Sequence, residues 1–214
     1  MRPLEYLSVS RRATVELEER RSRFIASVSP VEDEEAALSF VNEIRREYAD
    51  ATHNVYAYRV GIKVPAQKCS DAGEPAGTAG MPVLETIRRY DLTNVVVVVS
   101  RYFGGILLGA GGLARTYGRA ALRGLRAAQP VKMVQHVHLR LELDYSLYGK
   151  VEHLAASRSL QILEESFAAA VSLVVAVPSA EEEGLRRELA RISGGEICVT
   201  VTGSSFRPAT RVEL

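Results

Sequence analysis

The sequence predicts an α+β chain of two domains, and three features predict it. From about residue 137 to residue 201, strand and helix patterns follow one another as β-α-β-β-α-β, the ferredoxin-like order, complete within about 70 residues. Upstream, the apolar run Asn94–Ser100 reads as a central strand buried on both faces, with amphipathic helical patterns around it. A chain of 214 residues with 47% hydrophobic content can bury one large core or two smaller ones. A boundary near Pro130 then divides the chain into domains at 1–130 and 131–214.

Taken in order, Val15 and Leu17, then Phe24, Ala26 and Val28, alternate as two early strands with a hairpin turn near Arg20 to Ser22. Ala37, Phe40, Val41, Ile44 and Tyr48 recur at helical spacing, and Glu32 to Glu35 supply the negative charge that favours a helix start. Val55–Val60 is a β-branched and aromatic strand, whereas the stretch from there to Gly80 is rich in Gly, Pro, Ala and Ser and predicts a long irregular connection. A short helix over Met81–Tyr90 tolerates Pro82 in its first turn. After the valine strand and a glycine turn, a helix over Gly112–Ala127 buries Ala114, Tyr117, Ala121, Leu122 and Leu125. The second domain places strands near Val137–Leu143, Leu160–Glu165, Ala169–Val177 and Glu196–Val201, with helices over Tyr148–Ser157 and Ala180–Ile192.

The charges of the whole chain nearly cancel, 27 basic against 26 acidic. Their distribution is uneven. From Leu92 to Leu141 there is no Asp or Glu, yet Arg101, Arg115, Arg119, Arg123, Arg126, Lys132 and Arg140 all fall in that window. Residues 1–130 carry 18 basic and 15 acidic side chains, a net of +3, and residues 131–214 carry 9 and 11, a net of −2. The first domain is therefore the expected anion binder. Two cysteines, Cys69 and Cys198, are too few for a disulfide scaffold or a zinc cluster. Residues 1–12 lack the apolar run of a signal peptide, and no stretch approaches the roughly 20 apolar residues that span a bilayer. A cytoplasmic protein without membrane contact is expected.

Gly104, Gly105, Gly109, Gly111 and Gly112 follow the buried strand and lead into a helix, where backbone N–H groups can point at an anion. Along that helix Arg115, Arg119, Arg123 and Arg126 are spaced four, four and three residues apart and share one face as a basic rail. The same pattern also describes a solvated helix face whose glycines merely permit a tight turn. Tyr102 and Phe103 at the strand end could stack on an unpaired base, or pack beneath the adjacent helix.

Enzymatic motifs are mostly excluded by spacing. Gly109–Ala114 fits G-x-G-x-x-A formally, but it begins nine residues after the strand and no acid follows before Glu142. No G-x-x-x-x-G-K-[ST] P-loop and no G-x-S-x-G nucleophile elbow occurs. Asp71 and Glu74 could bind Mg²⁺ or act as an acid/base pair, or form a turn and pair with an arginine such as Arg101 or Arg115. Cys69 with His53 as base is a formal nucleophile pair that nothing in the sequence brings together.

Three segments carry a family resemblance: Ala51–Asn54, Cys69–Gly80, and Val97–Leu113 with its Ser100-Arg101-Tyr102-Phe103-Gly104-Gly105 core. Together they resemble the Impact family in its bacterial branch. The resemblance implies a first domain similar to a small-subunit ribosomal protein and to domain four of elongation factor G. It implies a ferredoxin-like second domain similar to the last domain of that factor. It also implies a link to translation or RNA, because eukaryotic relatives restrain the kinase that phosphorylates initiation factor two. The partner-binding module those relatives carry is absent from this sequence, and the family supplies no catalytic residues to map onto it.

The leading expectation is a non-enzymatic RNA- or ribosome-associated protein that modulates translation, without a cofactor and with room for a translation-related protein partner. Arg101 and Gly104–Gly112 would hold phosphate, and Arg115, Arg119, Arg123 and Arg126 would track the backbone. A second expectation is an enzyme that binds a nucleotide or phosphorylated small molecule at the same loop, with Asp71 and Glu74 holding Mg²⁺. A third is a protein-interaction module whose groove accepts an acidic peptide.

Overall fold

The computed structural model describes residues 5–214. Its elements are β1 (Glu5–Val9), β2 (Ala13–Glu19), β3 (Ser22–Pro30), α1 (Glu34–Glu47), β4 (His53–Val60), β5 (Ala66–Ser70), α2 (Gly80–Arg89), β6 (Val95–Tyr102), α3 (Ala110–Ala127), β7 (Pro130–Leu143), α4 (Tyr145–Ser157), β8 (Gln161–Phe167), β9 (Val171–Pro178), α5 (Glu182–Ser193) and β10 (Cys198–Arg211). Among the described residues the fold is α+β, with two sheets and five helices. Residues 1–4 of the expected first domain lie outside the described residues.

One compact unit comprises Tyr6–Lys132 with Pro208–Leu214. Its sheet runs β2-β3-β6-β4-β5, antiparallel at every step. The central strand β6 explains the valine run. Val95, Val97 and Val99 enter the core beneath α2 and α3, while Val96 and Val98 enter a second core beneath α1. A strand covered on both faces needs apolar residues at every position, so its sequence shows no alternation. Helix α1 begins where Asp33 accepts the Ala36 N–H at 2.8 Å, and Glu34 and Glu35 occupy its first turn. The β2–β3 hairpin turns on Arg20 and Arg21, both at positive φ (46° and 66°), which suits a two-residue turn between twisted strands.

The other unit comprises Glu5 and Met133–Arg207. Strand β9 lies between β7 and β8, antiparallel to both, and β10 pairs with β7. With α4 and α5 inserted after the first and third strands, this is the ferredoxin-like order. Its core gathers Leu139, Leu141, Leu143, Leu173, Val175, Leu185 and Leu189.

The structure departs from the sequence reading at β1, which that reading did not place, at the end of β10, which runs to Arg211 rather than Val201, and in three further places. Ala66–Ser70, taken as part of an irregular connection, is the edge strand β5 paired with β4; its residues are exposed or half-buried, so no apolar period announces it. Strand β7 starts at Pro130 rather than near Val137, because residues 132–138 are half-buried and carry no alternation. Residues 208–214 group with the first unit, where Val212 donates its N–H to the Pro130 carbonyl at 2.8 Å. Among the described residues no helix is long and apolar enough to cross a membrane.

Gly104 sits where β6 ends against the β2–β3 turn, and a Cβ there would lie 2.1 Å from the Arg21 backbone. Gly104→Ala should therefore lower stability by about 1–3 kcal/mol in denaturant unfolding. Gly149→Ala in helix α4, where a Cβ meets nothing within 4 Å, should instead raise it by about 0.4–1 kcal/mol. Equal effects would contradict the close approach at Gly104.

Candidate functional site

Strand register builds the site. Arg101 on β6 lies opposite Phe24 on β3 and opposite His53 on β4, so three side chains stand in a row on the face covered by α2 and α3. Over this row Tyr117 descends from α3 and meets Phe24 edge to face, ring centroids 5.2 Å apart. The segment between β5 and α2 brings in the acid. Asp71 folds that segment by accepting N–H groups from Gly77 (2.8 Å), Ala79 (3.1 Å) and Gly80 (2.8 Å). Burial acts to raise the Asp71 carboxyl, and these three donors outweigh it and hold the group below its ordinary value of 3.8.

Glu74 is thereby placed at the centre of a buried polar cluster. Its Oε1 accepts from Arg101 Nη1 at 2.6 Å and from the Tyr117 hydroxyl at 2.7 Å, with only 3% of the carboxyl side chain and 6% of the arginine exposed. Burial, and then the hydrogen bond to Glu74, push the Tyr117 phenol far upward, so it remains a donor. The Arg101 guanidinium lies 5.4 Å from the centroids of both Phe24 and Phe103, and its Nε is buried with no hydrogen-bond partner among the described residues. On the far side, Glu74 Oε2 faces His53 Nε2 at 4.0 Å. His53 Nδ1 lies 2.9 Å from the Ala72 carbonyl, which can only accept, so Nδ1 carries the proton.

This cluster floors a cleft of about 380 Å³. Thr52, Gly73, Gly109 and Ala110 rim it, and Pro75, Phe103, Leu107, Leu108 and Leu113 give it an apolar wall. Thr52 steadies Phe103 by accepting its backbone N–H at 3.1 Å.

The predicted site residues divide. Arg101, expected to hold phosphate, is corrected to a buried partner of Glu74, because its sheet register points it into the core. Gly104 does not offer its N–H to a ligand either: that group donates to Ser22 Oγ at 3.1 Å. Tyr102 turns away from Arg101, donates to Asp50 at 2.6 Å and carries Arg23 over its ring at 5.4 Å, so one stacking face is occupied. Both Asp71 oxygens are taken by backbone N–H groups, and Glu74 keeps only Oε2 uncommitted, with Arg101 already balancing its charge, which leaves the pair a poor Mg²⁺ site. Among the described residues no group of three or more His, Cys, Asp or Glu is placed to hold a metal. The Cys69 thiol is pushed up by burial and lies outside the cleft wall.

Gly105 (φ 81°) and Gly109 (φ 69°) reverse the loop before α3, and with Gly111 they are exposed; Gly112 is half-buried. Arg115, Arg119, Arg123 and Arg126 are all exposed on α3. Arg119 pairs with Glu19 at 2.9 Å, and Arg126 donates to an oxygen of Leu214 at 2.6 Å. Arg115 and Arg123 have no ion pair or hydrogen bond among the described residues. A second concavity of about 140 Å³ gathers Arg20, Arg115 and Arg119 with Glu19 beside Gly112. Sequence reasoning missed Arg20, which a two-residue hairpin carries across to the helix from 95 positions upstream of Arg115.

The Impact N-terminal domain model matches residues 20–125, and a domain of unknown function (DUF1949) matches residues 141–196. IMPACT family member YvyE of Bacillus subtilis is 34% identical over 191 residues, covering 89% of this chain and 88% of its own length. The chain belongs to the IMPACT family. IMPACT family member YigZ of Escherichia coli is 35% identical over 186 residues, 86% of this chain and 91% of the relative. Protein IMPACT of Xenopus laevis is 42% identical over 98 residues, 44% of this chain and 31% of that protein. A solved structure described as the crystal structure of an hypothetical protein matches with a TM-score of 0.61 at 33% identity, covering 91% of this chain and 96% of that one.

A pH dependence follows from Asp71. Because its folded value is lowered, the stability it contributes is present above the ordinary value of 3.8 and is lost as pH falls below that point. Asp71→Asn keeps one acceptor oxygen and should cost about 1–3 kcal/mol at pH 7. Its deficit relative to the parent should shrink as pH falls below about 4. A deficit that stays constant down to pH 2 would contradict the role assigned to the carboxylate.

Proposed function

We propose that this IMPACT family member is a non-enzymatic RNA- or ribosome-associated protein that modulates translation in the cytoplasm. One observation carries the reading. Arg20, Arg115 and Arg119 line a single concavity beside the start of α3, and the exposed Arg123 extends the same helix face. Four guanidinium groups with one neighbouring carboxylate, Glu19, leave net positive charge where a phosphate chain could lie. The exposed glycines at the loop let a backbone approach closely. Arg101 takes no part in it.

The family resemblance supports the same direction, since it implies an architecture similar to that of translation-factor domains. The rival enzyme with Mg²⁺ at Asp71 and Glu74 loses support, as both carboxylates already serve the fold.

Affinity for single-stranded RNA, read by fluorescence anisotropy, should fall with salt at a log-log slope of about −0.7 per phosphate neutralised. Arg115→Glu and Arg123→Glu should each flatten that slope by about 0.7 and weaken unrelated sequences alike, because phosphate contacts do not read bases. A slope near zero, or variants indistinguishable from the parent, would overturn the proposal.

A further inference from the structure

We propose that the cleft above Glu74 is a binding site for a primary amine carried on an apolar group. Two acceptors face each other there. Glu74 Oε1 is saturated by Arg101 and Tyr117, whereas Oε2 accepts no hydrogen bond among the described residues. Opposite it, the His53 Nδ1–H is engaged by the Ala72 carbonyl, so when the ring holds a single proton Nε2 is left as an acceptor. The two atoms are 4.0 Å apart, too far to bond to one another and close enough to share one donor. An atom about 2.9 Å from each would satisfy both, provided that it carries two hydrogens.

That requirement selects the ligand class. A hydroxyl has one hydrogen and a carboxylate has none. An amide NH₂ has two, but brings a carbonyl that the apolar wall of Pro75, Phe103, Leu107, Leu108 and Leu113 would leave unsatisfied. A primary amine, an ammonium at neutral pH, turns two of its three hydrogens to the two acceptors and the third to water at the open mouth, and leaves its carbon substituent against that wall. The buried floor is pre-organised for it, since Tyr117 and Arg101 fix the carboxylate before any ligand arrives. At about 380 Å³ the cleft falls within the range of small-ligand sites, roughly 300–1,000 Å³. Leu107, 80% exposed, and Phe103, 45% exposed, leave apolar surface at the mouth for a ligand to cover.

The same chemistry can come from a free small amine or from the amino terminus of a peptide with an apolar first residue. The test titrates the full chain with isopentylamine, leucinamide and the tripeptide Leu-Ala-Ala, against isopentanol and N-acetyl-leucinamide, following heat of binding and the His53 Nε2 nitrogen resonance. The three amines are expected to bind and to shift that resonance, with the alcohol and the acetylated compound at least tenfold weaker. n-Hexylamine should bind more tightly than n-butylamine by about threefold to fourfold per methylene. A tripeptide tighter than leucinamide identifies a peptide terminus, and the reverse order identifies a small amine. His53→Gln should weaken every amine at least tenfold, and Leu107→Ser, at an exposed position that folding tolerates, about threefold to tenfold. Equal binding of the alcohol or acetylated control, tighter binding of isovalerate, or no binding of any amine to the folded protein would overturn the proposal.

Discussion

A single buried carboxylate organises the first unit. Glu74 arrives on a segment without regular structure, yet its Oε1 is held by a guanidinium and a phenol that belong to two different elements, β6 and α3. Sheet, helix and connecting segment are thereby tied at one point. The arrangement depends on Arg101 being presented by a central strand between Phe24 and His53, and on Asp71 folding the segment that delivers Glu74. A charge buried this deeply is costly when its partner is lost, so the three side chains stand or fall together.

The same geometry separates two chemistries that the sequence runs together. Arg101 and Arg115 lie in one acid-free window, but only Arg115 reaches solvent. Arg101 turns inward to a cleft with an apolar wall and a neutral floor, and the α3 arginines turn outward beside the β2–β3 hairpin. The loop that joins β6 to α3 borders both, with Leu108 lining each concavity. The outward face gathers net positive charge and the inward cleft presents an apolar wall, so the two concavities of this unit differ in chemistry.

Much of the fold was legible because its signals are local. The valine strand, the helix over residues 110–127 and the β-α-β-β-α-β order are periodic patterns that a sequence displays directly. Strand β5 was not legible, since an edge strand with exposed side chains has no buried face to imprint a period. The site was half legible. His53, Glu74 and Arg101 stand out as residue types, but their convergence depends on strand register and on a turn held by Asp71, neither of which a linear sequence states. Charge counting misread Arg101 for the same reason: the window contained no acid, while the neutralising acid lay 27 residues upstream. Arg20 was missed because a hairpin, rather than helical spacing, brings it to the α3 arginines.

The most direct test of the account is a double-mutant cycle on the buried pair, with Glu74→Gln, Arg101→Met and the double variant compared by denaturant unfolding. Each single change should cost about 3–5 kcal/mol, because each leaves one charge buried without its partner. The double variant should cost less than the two added together, with a coupling of about 1–3 kcal/mol. Strict additivity would contradict the account, since it would mean that Glu74 and Arg101 do not depend on each other inside the fold.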